Sequence, residues 1–265
     1  MNPLRLAIAG CSGRMGRTLI SLAAGDPAFQ IVAAVTVPQD ARIGQDAGRI
    51  AGLDPLGVTV ATEITAACDA LLEFTLPAGC QHWANWCAEH GVPLVSGTTG
   101  LDAAQQATLR RAAEMVPIVW APNMSVGVNL LLGLVAELAA KLDQTWDVEI
   151  CETHHRQKID APSGTARALL DAVCAARKQA ASEVAMHGRS GDCGPRPAGQ
   201  IGVHALRMGA LVGEHEVHFT SAAESLTLRH RAFSRDTFAA GALRAARWLQ
   251  QRQPGLHTMR DVLFT

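Results

Sequence analysis

The sequence predicts an α/β protein: an N-terminal Rossmann-like parallel sheet, and a second α+β domain with an open mixed sheet. Three observations lead there. Short apolar runs alternate with helical patterns through the first half of the chain, as βαβ units require. The first run ends on glycines at positions 10, 13 and 16, which suits a backbone loop that must approach a pyrophosphate. After residue 125 the pattern changes to strands with one polar face, and a dense basic stretch appears at 152–165.

Taken in order, residues 4–9 are a mostly apolar strand, the glycine loop follows, and a helix is expected over 17–24. Further strands are expected at 31–35, 70–75, 92–96 and 118–121, with helices at 78–90 and 102–115. Short runs bounded this way belong to a parallel sheet covered on both faces. The helix at 126–141 is the most lipid-like segment, but Asn129 and Glu137 interrupt it and it is short for a span, so it reads as a core helix. An alternating strand at 147–153 leads through the basic stretch to a helix at 165–178, with Ser163 as its cap. The glycine-rich passage 187–202 reads as a long loop. Segments 203–208, 214–220 and 225–231 then read as antiparallel strands with one wet face; Glu214, Glu216 and His218 form the polar side, which suits a partner subunit. A last helix at 236–251 and the tail through 264 have no strand partner in view and are expected to pack back on the first domain. The expected domains are therefore 1–124, for a dinucleotide and completed by 236–265, and 125–235, for substrate.

Composition narrows the function. A formal charge of −1 over 265 residues, with aromatics at 4% and no tyrosine, argues against nucleic acid or an anionic membrane as partner. The seven cysteines are odd in number and include no C-x-x-C, which fits reduced thiols in a cytoplasmic protein. No signal-peptide pattern opens the chain.

Two places carry chemistry. In the basic stretch, His154, His155, Arg156 and Lys158 precede a turn into Ser163-Gly164-Thr165 at a helix start. Cations beside a helix N-terminus suit a carboxylate or phosphate, with an imidazole or amine near enough to move a proton. A solvated basic turn is the plain alternative. The glycine loop would hold a dinucleotide at the first helix of the parallel sheet. The acidic residue expected about twenty positions on is missing: Thr36 stands there and no arginine follows it. Gly97-Thr98-Thr99-Gly100, after another parallel strand, would lie beside the nicotinamide.

These segments, with 123–129, Gly213-Glu214-His215 and 259–263, resemble the dihydrodipicolinate reductase family, collinearly over essentially the whole chain. The H-H-x-x-K and D-A-P-S-G-T block is the specific part. The resemblance implies a homotetramer, assembled through the second domain, that uses NADH or NADPH to reduce a cyclic dicarboxylate on the diaminopimelate route to lysine. It implies His154 and Lys158 as acid and base, and His155, Ser163, Gly164 and Thr165 as substrate-binding residues. Gly10, Cys11, Ser12, Gly13, Arg14, Met15, Gly97, Thr98, Thr99, Ala121, Pro122, Asn123 and Met124 would line the coenzyme. The chain departs from the family at Gln157 and Met124, which should leave the chemistry intact. It departs also at Thr36, Val37 and Leu76, where charged residues are common; this leaves Arg14 as the nearby cation for a 2′-phosphate and suggests use of both coenzymes. Two rivals stand beside this reading: another two-domain NAD(P) reductase, for which Cys151 would be the reactive thiol, and a non-catalytic nucleotide sensor. No metal is expected, because adjacent His154 and His155 on a strand point to opposite faces.

Overall fold

The computed structural model describes residues 2–264; positions 1 and 265, the outermost residues of the expected domains, lie outside that range. Two compact units emerge, one running through Val126 and resuming at Arg235, the other Gly127–Ser234.

The first unit begins β1 (Leu4–Ala9), α1 (Arg14–Ala24), β2 (Phe29–Val35), α2 (Ala47–Ile50), β3 (Val60–Ala61) and β4 (Ala70–Glu73). It continues α3 (Pro77–His90), β5 (Leu94–Ser96), α4 (Ala103–Ala113) and β6 (Pro117–Trp120). Helix α5 (Val126–Lys141) carries the chain into the second unit: β7 (Asp147–His154), α6 (Gly164–Arg177), α7 (Ala181–Val184), β8 (Ala185–His187), β9 (Ile201–Arg207), β10 (Gly213–Thr220) and β11 (Ser225–Ala232). The chain then returns through α8 (Asp236–Leu249), β12 (Gly255–His257) and α9 (Met259–Phe264).

The first unit is a seven-stranded sheet in the order β12-β6-β5-β4-β1-β2-β3, parallel throughout. Successive residues of β1 face different cores. Leu6 and Ile8 pack with Leu19 and Ile20 of α1 and Ala242 of α8, whereas Ala7 and Ala9 pack with Cys80 and Trp83 of α3 and Leu109 of α4. Burial on both faces is why these strands read as unbroken apolar runs; each fully buried Leu or Ile contributes about 1.5–3 kcal/mol.

Two sequence expectations are corrected here. Helix α1 starts at Arg14, a turn before the expected 17, because Gly16 lies inside the helix. The tail does find a strand partner: β12 adds to the sheet beside β6, with Leu256 opposite Ile118. Three residues are too few to display a periodicity. The short α2 and β3, in a polar region, were also not visible in the pattern.

The second unit is a five-stranded sheet in the order β11-β10-β7-β9-β8. Helices α5 and α6 cover one face through Leu131, Val135, Leu169 and Val173, packed on Val148, Ile150, Val217 and Phe219. A further correction concerns β9, expected antiparallel to its neighbours. It runs parallel to β7 and β8, while β10 is antiparallel to β7 and β11. Alternation reveals which face is wet but not which way a strand runs; α6 and α7 carry the chain from β7 to β8 and the loop 188–200 carries it from β8 to β9, and each connection returns it in the same direction. The expected loop 187–202 correspondingly gives up Ile201 and Gly202 to β9 and His187 to β8. No helix among the described residues is long and apolar enough to cross a membrane.

Candidate active site

The register of the five-stranded sheet builds the site. On the helix-covered face, β7 presents Val148 and Ile150, then Glu152 and His154. Cross-strand pairing sets Ala205 and His215 beside Glu152, and Arg207 beside His154. The same face thus changes, one residue pair further on, from an apolar core to a buried polar cluster.

Glu152 is fully buried. Its carboxylate accepts from the His154 ring Nδ1 at 2.5 Å and from the Ser163 backbone N–H at 3.0 Å. It also takes two parallel bonds from Arg207, each 2.8 Å, while Arg207 Nη2 donates to the Asp160 carbonyl at 2.7 Å. A buried carboxylate is tolerable only with partners of this kind. Burial alone raises the Glu152 carboxyl, but Arg207, His154 and the Ser163 amide more than reverse that, holding it below its ordinary range. Burial pushes the His154 imidazole down, against the opposing pull of Glu152. With Nδ1–H committed to Glu152, Nε2 is the nitrogen left for chemistry. A Cβ on residue 213 would sit 3.0 Å from that Nε2, so glycine keeps the space open.

His215 packs edge-on against His154, ring centroids 5.2 Å apart, and its Nε2 is 3.1 Å from the Ser163 hydroxyl. Burial pushes His215 down to about 4, so it is neutral at physiological pH. Ser163 caps α6 as the sequence predicts, its hydroxyl accepting from the Ala166 amide at 3.1 Å. Gly164 and Thr165 form the first turn of that helix, the end at which amides and dipole favour anions. Lys158 is half-buried and ion-paired with Asp160 at 2.7 Å. His155 follows the end of β7 and is anchored through its amide to the Leu211 carbonyl; its Nδ1 is buried with no hydrogen-bond partner among the described residues.

In the first unit, the residues expected to line a coenzyme lie at the carboxyl ends of parallel strands. Gly10 to Met15 follow β1, Gly97 to Thr99 follow β5, and Ala121 to Met124 follow β6. Ligands gather at that edge of such sheets. Gly10 has φ +77, and a Cβ there would meet the Phe74 carbonyl at 2.5 Å; a Cβ on Gly16 would meet the Gly10 carbonyl at 2.2 Å. Loop and helix therefore close on each other with only glycine between them, the cradle a diphosphate needs. Cys11 and Met124 turn their side chains into the core, so any contact they make with a coenzyme is through backbone. Thr98 is tied to buried Glu73, which also takes the Ser96 hydroxyl at 2.6 Å.

Sequence reasoning missed Glu152 as a hub, Arg207, and His215 as a neighbour of His154. Alternation does place Glu152 and His154 on one face, but only the register identifies what stands beside them. It also missed Glu73, which reads as the end of an ordinary strand, and two residues beyond β2. Asp40 accepts from the Thr36 hydroxyl at 3.0 Å, and Arg42 donates to the Ser12 carbonyl of the glycine loop at 3.2 Å.

Cys151 lies on the opposite face of β7; burial, with Glu149 and Glu216 nearby, pushes its thiol up, the reverse of an activated nucleophile. A hollow of about 910 Å³ bounded by Asn2, Arg5, Asp69 and Arg247 lies at the amino ends of the first unit's strands, the edge opposite the glycine loop.

Residues 4–124 match the family model for the N-terminus of dihydrodipicolinate reductase, and residues 127–263 match that for its C-terminus. The chain is 48% identical over 263 residues to a 4-hydroxy-tetrahydrodipicolinate reductase of Thiobacillus denitrificans, covering 98% of each. It is 47% identical over 261 residues to one of Rubrobacter xylanophilus, again covering 98% of each. Among solved structures it is similar to a dipicolinate-bound dihydrodipicolinate reductase from Paenisporosarcina sp. TG-14, with TM-score 0.78, 25% identity and 97% of each chain covered.

Proposed function

This chain belongs to the dihydrodipicolinate reductase family, and from that premise we propose that it converts 4-hydroxy-tetrahydrodipicolinate, which loses water to give dihydrodipicolinate, to tetrahydrodipicolinate by reduction on the diaminopimelate route to lysine. It is an oxidoreductase of the cytoplasm in this reading, with NADH or NADPH as coenzyme. When bound, the reduced nicotinamide supplies a hydride. Backbone amides of the loop from Gly10 to Met15 hold the diphosphate at the start of α1, and Gly97 to Thr99 with Ala121 to Met124 border the nicotinamide half.

The observation that carries the proposal is the buried Glu152–His154 couple beside Ser163 and the first turn of α6. The substrate is a ring with two carboxylates. Ser163, Gly164 and Thr165 hold one of them at the helix start, with His155 alongside. Lys158, released from exposed Asp160 by the stronger local charge of the substrate, supplies an ammonium. Hydride addition to one carbon of the conjugated imine leaves an electron pair to be taken up at the adjacent carbon by a proton, and His154 Nε2 and Lys158 are the groups that deliver it. Burial keeps His154 neutral in the free protein, so its protonation accompanies substrate: a dianion nearby raises an imidazole.

The test is turnover of 4-hydroxy-tetrahydrodipicolinate with reduced coenzyme. His154→Gln and Lys158→Ala should each lower kcat by roughly 10²–10⁴, the range for general acid catalysis, with coenzyme dissociation constants unchanged. Near-normal kcat in either variant removes that residue from the mechanism.

A further inference from the structure

Neither side chain directly after β2 has the charge that usually reads the adenosine ribose, since Thr36 and Val37 are neutral. The structure supplies charge from a little further along. The hydroxyls of Ser12 and Thr36 are 2.8 Å apart, the Thr36 hydroxyl donates to Asp40 Oδ2 at 3.0 Å, and the Arg42 amide donates to Asp40 Oδ1 at 2.9 Å. Arg42 Nη1 closes the circuit, 3.5 Å from Asp40 Oδ2 and 3.2 Å from the Ser12 carbonyl. Ser12 belongs to the glycine loop itself. One carboxylate and one guanidinium are thus tied to the loop at the carboxyl end of β2, where dinucleotide folds hold the ribose hydroxyls. Asp40 is the inner partner, its side chain 12% exposed, and Arg42 the outer, at 44%. The Ser12 hydroxyl and the Arg42 amide keep the Asp40 carboxyl below its ordinary range, so it is charged.

Resting on the coenzyme reading above, we propose that Asp40 and Arg42 together set coenzyme choice. Asp40 accepts the 2′-hydroxyl of NADH, and Arg42 turns outward to pair with the 2′-phosphate of NADPH, neutralising it against Asp40. A fixed acid alone would exclude the phosphate, and a fixed base alone would seek it. A paired acid and base, the base free at its outer side, admits both. Arg14, the cation singled out by sequence, instead lines a separate hollow of about 530 Å³ along α1 with Arg17 and Arg235.

The experiment is equilibrium titration of coenzyme fluorescence on the substrate-free protein, a readout independent of turnover, with circular dichroism as a check on folding. Asp40→Asn should weaken NADH by about tenfold and leave NADPH unchanged or tighter, because a hydrogen bond to a charged group is lost. Arg42→Ala, at an exposed side chain, should weaken NADPH by about tenfold or more and spare NADH. Opposite movement of the NADPH-to-NADH ratio in the two variants supports the assignment. A ratio that stays put in both folded variants overturns it, as does a loss of NADPH affinity in Arg14→Ala with none in Arg42→Ala. Failure of the unaltered protein to bind either coenzyme would instead overturn the reading beneath it.

Discussion

Glu152 is the residue on which the catalytic proposal leans hardest, although it touches no expected substrate atom. It fixes the His154 tautomer, pins the Ser163 turn and neutralises Arg207. Its negative charge also raises His154. Glu152→Gln keeps the shape but removes that charge, so the imidazole loses its proton at a lower pH. With protonated His154 as the working acid, the alkaline limb of the kcat profile should move to lower pH, and kcat at neutral pH should fall about tenfold or more. A profile that drops in height without moving would make Glu152 purely structural. The sequence announced His154, Lys158 and Ser163 through a compact local motif. It left Glu152 unmarked because a glutamate in an alternating strand resembles any solvated one until its partners, 11 and 55 residues away, are in place.

Sheet β11-β10-β7-β9-β8 shows how an element can be half legible. The helix-covered face was readable from Val148, Ile150, Val217 and Phe219, all apolar at alternate positions. The direction of β9 was not, and direction decides the site: running parallel to β7, it ends with Arg207 beside His154. The opposite face is the one turned away from α5 and α6. There Glu149 pairs with Arg189, Arg196 and His204, and Glu214 and Glu216 with Arg229 and Arg231. Burial would raise Glu149, yet these partners take it down to about 2. Exposed Leu206, paired with Thr153 of β7, stands on this face as well. We propose this face as the tetramer surface. Light scattering at micromolar concentration should give four times the chain mass, and charge reversal at Arg229 with Arg231 should reduce it; a monomer in the unaltered protein would end that reading.

At the scale of the whole molecule, the helix–strand alternation of the first unit was readable because a strand buried on both sides must be apolar throughout. The short pieces α2, β3, α7 and β12 were not, since two to four residues carry no period. Global stability also answers to one hidden group. His215 is nearly inaccessible and its imidazole is held down to about 4, against about 6.5 when unfolded. Between those values the unfolded chain binds the extra proton, so stability rises with pH there and falls as pH drops through the window. The expected loss is up to about 3 kcal/mol from this residue. Urea midpoints measured from pH 7 to 4 should decline over that span, and His215→Gln should flatten the decline; an equal slope in both proteins would exclude His215 as its source.

The short strands at the two margins of the first sheet have a consequence of their own. The seven-stranded sheet ends on one side in three-residue β12 and on the other in two-residue β3. An exposed sheet margin is a template on which foreign chains can zip and clump. Trimmed to two or three residues, both margins are too brief to seed such growth, so a wide sheet buried on both faces can exist in a crowded cell without recruiting its neighbours.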